Sequence, residues 1–248
     1  MEFLELNDNK IISVDKLKSL NSLNSLYLNN NKLNDLCWIT KLTTNLNNLY
    51  LSNNLIKYLD CLDDSEYNWD QIILLHLSYN EISNIKSLRY FVQLAVLDLS
   101  HNQIKNIESL SNLTNLRQLI LNSNRIKSLE SIRHLTKLQL INLNENQIED
   151  LFWIENFTAI RILEFSKNRI KFIPNGFFDR FIFLYDLDIS YNYIKEINSF
   201  GQFSKIYLRK LNIGHNQIKD IRFFSSSSFS LLSQLKINNN FNRRFKFN

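Results

Sequence analysis

The stretch Leu94-Ala95-Val96-Leu97-Asp98-Leu99-Ser100-His101-Asn102-Gln103-Ile104 decides the fold. Leu97 and Leu99 alternate around Asp98, and that alternation puts both on one side of a short strand. Ser100 to Gln103 is a polar break, and Ile104 resumes the apolar pattern. The frame returns as Leu116, Leu119, Leu121, Asn124, Ile126, and again as Leu138, Ile141, Leu143, Asn146, Ile148. Worked outward, it reaches both ends of the chain, with frame asparagines at Asn9, Asn31, Asn54, Asn80, Asn102, Asn124, Asn146, Asn168, Asn192, Asn216 and Asn240. Successive steps are 22, 23 and 26 residues, then 22 four times, then 24 three times. Eleven copies in register are a repeat array, and a fixed period of this size is the mark of a solenoid.

Within one copy, Leu97, Leu99, Ile104, Ile107, Leu110 and Leu113 all point inward once the chain has travelled round a coil. One coil buries too little to order itself, so stacking on neighbours must supply the difference. Among 248 residues there are only 3 Gly and 1 Pro, where ordinary usage gives roughly 17 and 12. The chain must therefore turn by another device. The frame asparagine is suited to it, since a buried amide both donates and accepts hydrogen bonds.

The frame L-x-x-L-x-L-x-x-N-x-I resembles the leucine-rich repeat family over the whole chain. The resemblance implies an α/β repeat solenoid: a right-handed leucine-rich repeat horseshoe with a parallel sheet on its concave face and short 3-10 or irregular segments on its convex face. It implies that Asn31, Asn54, Asn80, Asn102, Asn124, Asn146, Asn168, Asn192 and Asn216 form a structural asparagine ladder. Repeats from Asn80 to Asn168 read N-x-I-x-x-I-x-x-L-x-x-L. They resemble the intracellular 22-residue class typified by the leucine-rich regulatory subunit of protein phosphatase 1. Ile173-Pro174-Asn175-Gly176-Phe177-Phe178 resembles the 24-residue class of receptor ectodomains, and implies a different back-face conformation from there on. The whole of 1–248 is expected to be one leucine-rich repeat domain of about eleven repeats, without clear N- or C-terminal caps. The eleventh copy loses its frame at Asn242.

The formal net charge is +5, too mild and too dispersed to point to nucleic acid. Cys37 and Cys61 do not make a disulfide framework and have no zinc spacing. They are expected to pack on the back face with Trp38 and Trp153, in a reducing compartment. No apolar run approaches a membrane span, and Met1 to Leu6 does not read as a signal peptide. The sequons Asn112-Leu113-Thr114 and Asn156-Phe157-Thr158 are then chance matches. The acidic stretch Asp60 to Asp70, with Trp69, accounts for the long step and reads as a solvated bulge. Ser225 to Ser228 reads as a loosely packed turn.

No catalytic motif is present. His76, His101, His134 and His215 fall in different copies, and no metal, cofactor or small-molecule substrate is implied. Function is expected on the concave face, at the strand residue between the two inward leucines. These positions are Tyr27, Tyr50, His76, Asp98, Ile120, Asn142, Glu164 and Asp188, with Asp186 beside them; Glu5, Asn212 and Lys236 complete the series. Tyr27, Tyr50 and His76, flanked by Phe3, Leu74, Tyr79 and Val96, have hot-spot composition. Glu164, Asp186 and Asp188 form an acidic patch. Lys57, Lys105, Lys127, Lys171, Lys195 and Lys219 follow the consensus isoleucine and read as a solvated flank. The expected role is that of a non-catalytic interaction module or scaffold with a protein partner, in a cytoplasmic, nuclear or ciliary setting. The resemblance implies a phosphatase-regulatory subunit or a cytoskeletal or ciliary adaptor, with the protein phosphatase 1 catalytic subunit or a cytoskeletal protein as partner. The alternative is a fragment of an extracellular leucine-rich repeat receptor or adhesion protein.

Overall fold

The computed structural model describes residues 1–41, 46–63, 69–174, 176–197, 207–220 and 231–240. It divides into two compact units, Met1–Arg125 and Ile126–Asn248. The first holds strands β1 Phe3–Glu5, β2 Ser25–Tyr27, β3 Asn48–Tyr50, β4 Leu74–His76, β5 Val96–Asp98 and β6 Gln118–Ile120. The second holds β7 Leu140–Asn142, β8 Ile162–Glu164, β9 Asp186–Asp188, β10 Lys210–Asn212 and β11 Gln234–Lys236. In each unit the strands pair in parallel with their sequence neighbours, in the repeat's register: Leu26 opposite Leu49, Leu75 opposite Leu97, Leu163 opposite Leu187. The expected parallel-sheet repeat architecture is thus present in both.

One coil shows why. Leu97, Leu99, Ile104, Ile107, Leu110, Leu113 and Leu116 are each between 0% and 3% exposed. The strand supplies Leu97, the position just after it supplies Leu99 by the same alternation, and the return path supplies five. That path includes a 3-10 helix, Glu108–Asn112, whose tight turn returns Leu110 and Leu113 to the core. The Leu113 and Leu116 N–H groups donate to Leu110 and Leu113 carbonyls at 3.0 Å, closing the turn before the next strand. Comparable segments recur at Asp15–Ser19, Lys86–Tyr90 and Phe152–Asn156.

The turning device has two parts. The residue before every frame asparagine lies at positive φ, from Asp8 at 58° through Tyr79, His101, Glu145 and Lys167 to Asn239 at 53°. A non-glycine residue there costs about 1 kcal/mol or more. The following asparagine holds it in place. Asn124 Nδ2 donates to Leu121 O and Asn122 O of its own coil, and to Leu99 O of the coil before. Its Oδ1 accepts the Ile104 N–H at 2.9 Å. The same set serves Asn31, Asn54, Asn80 and Asn102 in the first unit, and Asn168, Asn192 and Asn216 in the second. Asn146 accepts the Ile126 N–H at 2.9 Å and donates to Leu143 O.

Two expectations need correction. Cys37 and Cys61 are not separate thiols: they form a disulfide across adjacent coils, with Cα atoms 5.3 Å apart. Their separation of 24 exceeds the local asparagine step of 23 by one residue, so matching by repeat phase puts them in different columns. The bond joins the first residue of the 3-10 segment Cys37–Lys41 to the second residue of Asp60–Asp63. Asp35 Oδ1 fixes Cys37 by accepting its N–H at 2.8 Å. Trp69 is not on a solvated bulge: it is 6% exposed and stacks on Phe91 with centroids 5.1 Å apart. Burying so large a ring outweighs solvation of its acidic neighbours. The centre of that expected bulge, together with Asn175, Ser225 to Ser228 and the tail from Asn242, lies outside the described residues.

Candidate functional site

Strand alternation sends the middle residue of each strand inward and the outer two to the open face. In the first unit the third strand positions Tyr27, Tyr50, His76, Asp98 and Ile120 stand opposite one another in register. A column of rings results. Phe3 tilts against Tyr27 with centroids 4.8 Å apart, Tyr27 stacks on Tyr50 at 4.2 Å, and Tyr50 stacks on His76 at 5.1 Å. Each such contact contributes roughly 0.5–1.5 kcal/mol beyond burial. The faces cover one another, so a partner meets ring edges and hydroxyls. Burial and a hydrogen bond with the Tyr27 hydroxyl raise the Tyr50 pKa.

The column continues into charge. His76 Nδ1 lies 3.7 Å from Asp98 Oδ2. Asp98 Oδ1 accepts the Ser100 N–H at 2.9 Å and its hydroxyl at 2.7 Å. Burial alone would push the Asp98 carboxyl up; His76 and the two Ser100 donors outweigh it and hold it below the usual carboxylate range. Beside the column, Leu74 and Val96 present half-buried apolar surface. Tyr79 does not join it.

In the second unit Asn142, Glu164, Asp188, Asn212 and Lys236 follow the same register. Glu164 and Asp188 are direct cross-strand partners. Asn144 donates to Glu164 Oε2 at 3.0 Å, Asn212 donates to Asp188 Oδ2 at 2.9 Å, and Lys210 pairs with Asp186 at 3.4 Å. Burial first, then the Asp186 and Asp188 charges, raise the Glu164 pKa. A raised carboxyl pKa means the folded state binds its proton more tightly, so ionisation destabilises and the cost disappears as pH falls through the raised value. Glu164→Gln is therefore expected to stabilise the protein by about 0.5 kcal/mol near pH 7, the scale of a cross-strand like-charge pair. The gain should vanish near pH 4. Urea midpoints at the two pH values check it, and an equal gain at both would contradict it.

A column that repeat phase did not flag runs along the rim, built from the positive-φ residues. Asn30 donates to Asp8 at 2.7 Å and Asn53 to Asn30 at 2.6 Å. Tyr79 stacks on His101 at 3.9 Å. In the second unit Lys167 pairs with Glu145, and Tyr191 stacks on His215 at 3.9 Å. A signal was available: Asp, Asn and His, which enter the left-handed region more readily than most residues, fill six of the eleven positions. In the lysine flank, Lys57 pairs with Glu81 at 3.0 Å. Among the described residues no group of three or more His, Cys, Asp and Glu is placed to hold a metal ion. No helix among them is long and apolar enough to cross a membrane.

Residues 93–113 match the family model Leucine Rich Repeat, and residues 114–156 match Leucine Rich repeats (2 copies). Residues 93–156 thus carry leucine-rich repeats, and the sheet and the asparagine ladder continue the same coil on either side of them. The chain's fold is similar to that of an internalin (inlF) from Listeria monocytogenes, with TM-score 0.78 and 27% identity over 97% of this chain and 74% of that one. It is also similar to the ectodomain of the plant membrane receptor kinase GASSHO1/SCHENGEN3 from Arabidopsis thaliana, in complex with CASPARIAN STRIP INTEGRITY FACTOR 2. There the TM-score is 0.76 and the identity 25%, over 97% of this chain but 30% of that one. InlJ from Listeria monocytogenes, whose functional domain includes a cysteine ladder, shares the fold at TM-score 0.79 and 20% identity, over 99% of this chain and 50% of that one. No curated protein matches the chain in sequence.

Proposed function

We propose that residues 1–248 act as one non-catalytic interaction domain that binds a partner protein on the open face of β2–β5. The observation that supports it most is the ring column Phe3–Tyr27–Tyr50–His76 ending on Asp98. Solubility requires only polar side chains on an open sheet face. A continuous edge of aromatic rings and hydroxyls that ends on the Asp98 carboxylate, beside Leu74 and Val96, has the composition of a binding hot spot. The plant receptor ectodomain's complex with CASPARIAN STRIP INTEGRITY FACTOR 2 supports a binding role for this fold. Affinity capture from native lysate, wild type beside the Tyr50→Ala/His76→Ala variant, tests the reading. A protein retained by wild type and lost by the variant supports it; equal retention by both contradicts the site.

Two settings compete for this module. In one it is a cytoplasmic, nuclear or ciliary adaptor, with a phosphatase 1 catalytic subunit or a cytoskeletal protein as partner. In the other it belongs to an extracellular receptor or adhesion protein. The Cys37–Cys61 bond favours the second, since disulfides persist in oxidising compartments. Alkylation of the native protein before non-reducing digestion is expected to give one cross-linked Cys37–Cys61 peptide pair. Two alkylated thiols would favour the cytoplasmic adaptor.

A further inference from the structure

One position changes character in the second unit. It lies nine residues before each frame asparagine, in the turn leading into the strand. In the first unit it holds Ser22, Gln71, Gln93 and Asn115. There the side chains satisfy one another: Asn115 Nδ2 donates to Val92 O and Gln93 Oε1, both at 3.2 Å. In the second unit the series runs Lys137, Ala159, Phe183, Tyr207, Leu231. The last three are 52%, 62% and 48% exposed. Folding does not call for them, because the next residue fills the core: Leu184 and Leu208 are 1% and 3% exposed.

Two residues further on lies a second column, Arg161, Tyr185, Arg209. The Tyr185 N–H donates to Arg161 O at 3.0 Å and the Arg209 N–H to Tyr185 O at 2.8 Å, so the three sit side by side on successive coils. Both arginine side chains are exposed. Among the described residues neither makes an ion pair or a side-chain hydrogen bond.

We propose that this flank of the second unit is a second interaction surface, which takes an acidic segment of a partner protein carrying bulky apolar side chains. Exposed Phe, Tyr and Leu beside Arg make up an interface core rather than a solvated turn. Two guanidinium groups without partners call for carboxylates, which they bind in a forked geometry. The alternative polyanion, a nucleic-acid strand stacking its bases on Phe183 and Tyr207, fits less well. Asp186 adjoins Tyr185 and Glu164 follows Arg161 by three residues, so a regular phosphate backbone would run against carboxylates. A peptide can space its acids to avoid them.

The test uses the full chain as bait for a random-peptide display library. Enriched peptides should combine Asp or Glu with Leu, Phe or Trp. Their affinity should fall at least about tenfold in Phe183→Gln/Tyr207→Gln/Leu231→Gln, a change to residues the first unit carries at this phase. A similar fall is expected in Arg161→Glu/Arg209→Glu, which touches no core residue and decides the matter should the triple variant fail to fold. Tyr50→Ala/His76→Ala should leave this binding unchanged, so the flank and the ring column fail or stand separately. No enriched acidic peptide, or peptides indifferent to both flank variants, would overturn the proposal. So would flank-dependent binding of oligouridine or phosphatidylserine vesicles in place of peptides.

Discussion

Replacing Asn102 with alanine is expected to lower the unfolding free energy by about 3 kcal/mol. The Asn102 amide donates to Leu77 O at 2.9 Å, Leu99 O at 3.1 Å and Ser100 O at 3.0 Å, and its oxygen accepts the Ile82 N–H at 2.9 Å. Leu77 and Ile82 belong to the preceding coil and are 0% exposed. Alanine leaves the Ile82 N–H unpaired where water cannot reach, at about 2 kcal/mol, and takes from Leu77 O one of its two donors, Asn80 Nδ2 remaining at 3.1 Å. It also removes the brace from His101, held at φ 52°. Asn9 is the internal control. Its amide makes two exposed bonds, to Leu6 O and Asn7 O, so Asn9→Ala should change stability by less than about 0.5 kcal/mol. Urea unfolding of both variants checks the contrast, and equal losses would remove the ladder from the account of the fold.

The Tyr50→Ala/His76→Ala variant is expected to weaken partner binding by at least a hundredfold, about 2.7 kcal/mol. Tyr50 links the stack on one side to Tyr27 and on the other to His76, so its removal breaks the column in the middle. Loss of His76 also takes away the partner of Asp98. The same contacts contribute to folding, and the variant should lose about 1–2 kcal/mol of stability from the broken stacks. It should nonetheless unfold well above the temperature of the binding assay. Tyr50→Phe separates the two effects: it keeps the ring and deletes the hydroxyl, so stability should hold while affinity falls about tenfold. If Tyr50→Phe binds as wild type and the double variant is unfolded, the rings serve only the fold.

How far the sequence carried the account depends on what kind of information each feature needs. Leu97, Leu99, Asn102 and Ile104 were legible because burial repeats with the coil, and a repeated pattern amplifies a weak local signal. The same reasoning aligned Tyr27, Tyr50 and His76, since third strand positions must fall in one column. It did not show that their rings stack face to face, because a column fixes where a side chain starts and not how its ring turns. The positive-φ turns were legible only where Asp, Asn or His fills the position. Tyr79, Glu145 and Lys167 carry none of the glycine that usually marks such a conformation; the neighbouring asparagine imposes it. The Cys37–Cys61 bond escaped a reading by phase because the two cysteines stand one residue out of step, six and seven residues after their frame asparagines. Trp69 was hidden by its acidic surroundings, which say nothing about the apolar partner Phe91 waiting in the next coil.

The most direct test of where the partner sits is contact itself. A photo-cross-linking phenylalanine analogue is placed at Leu74, on the open face beside the ring column, or at Phe152, 54% exposed on the 3-10 segment Phe152–Asn156. Each full-length variant is irradiated in native lysate. The account predicts a partner adduct from position 74, abolished when Tyr50→Ala/His76→Ala is added, and none from position 152. Adducts from position 152 alone, or from position 74 regardless of the double substitution, would contradict it.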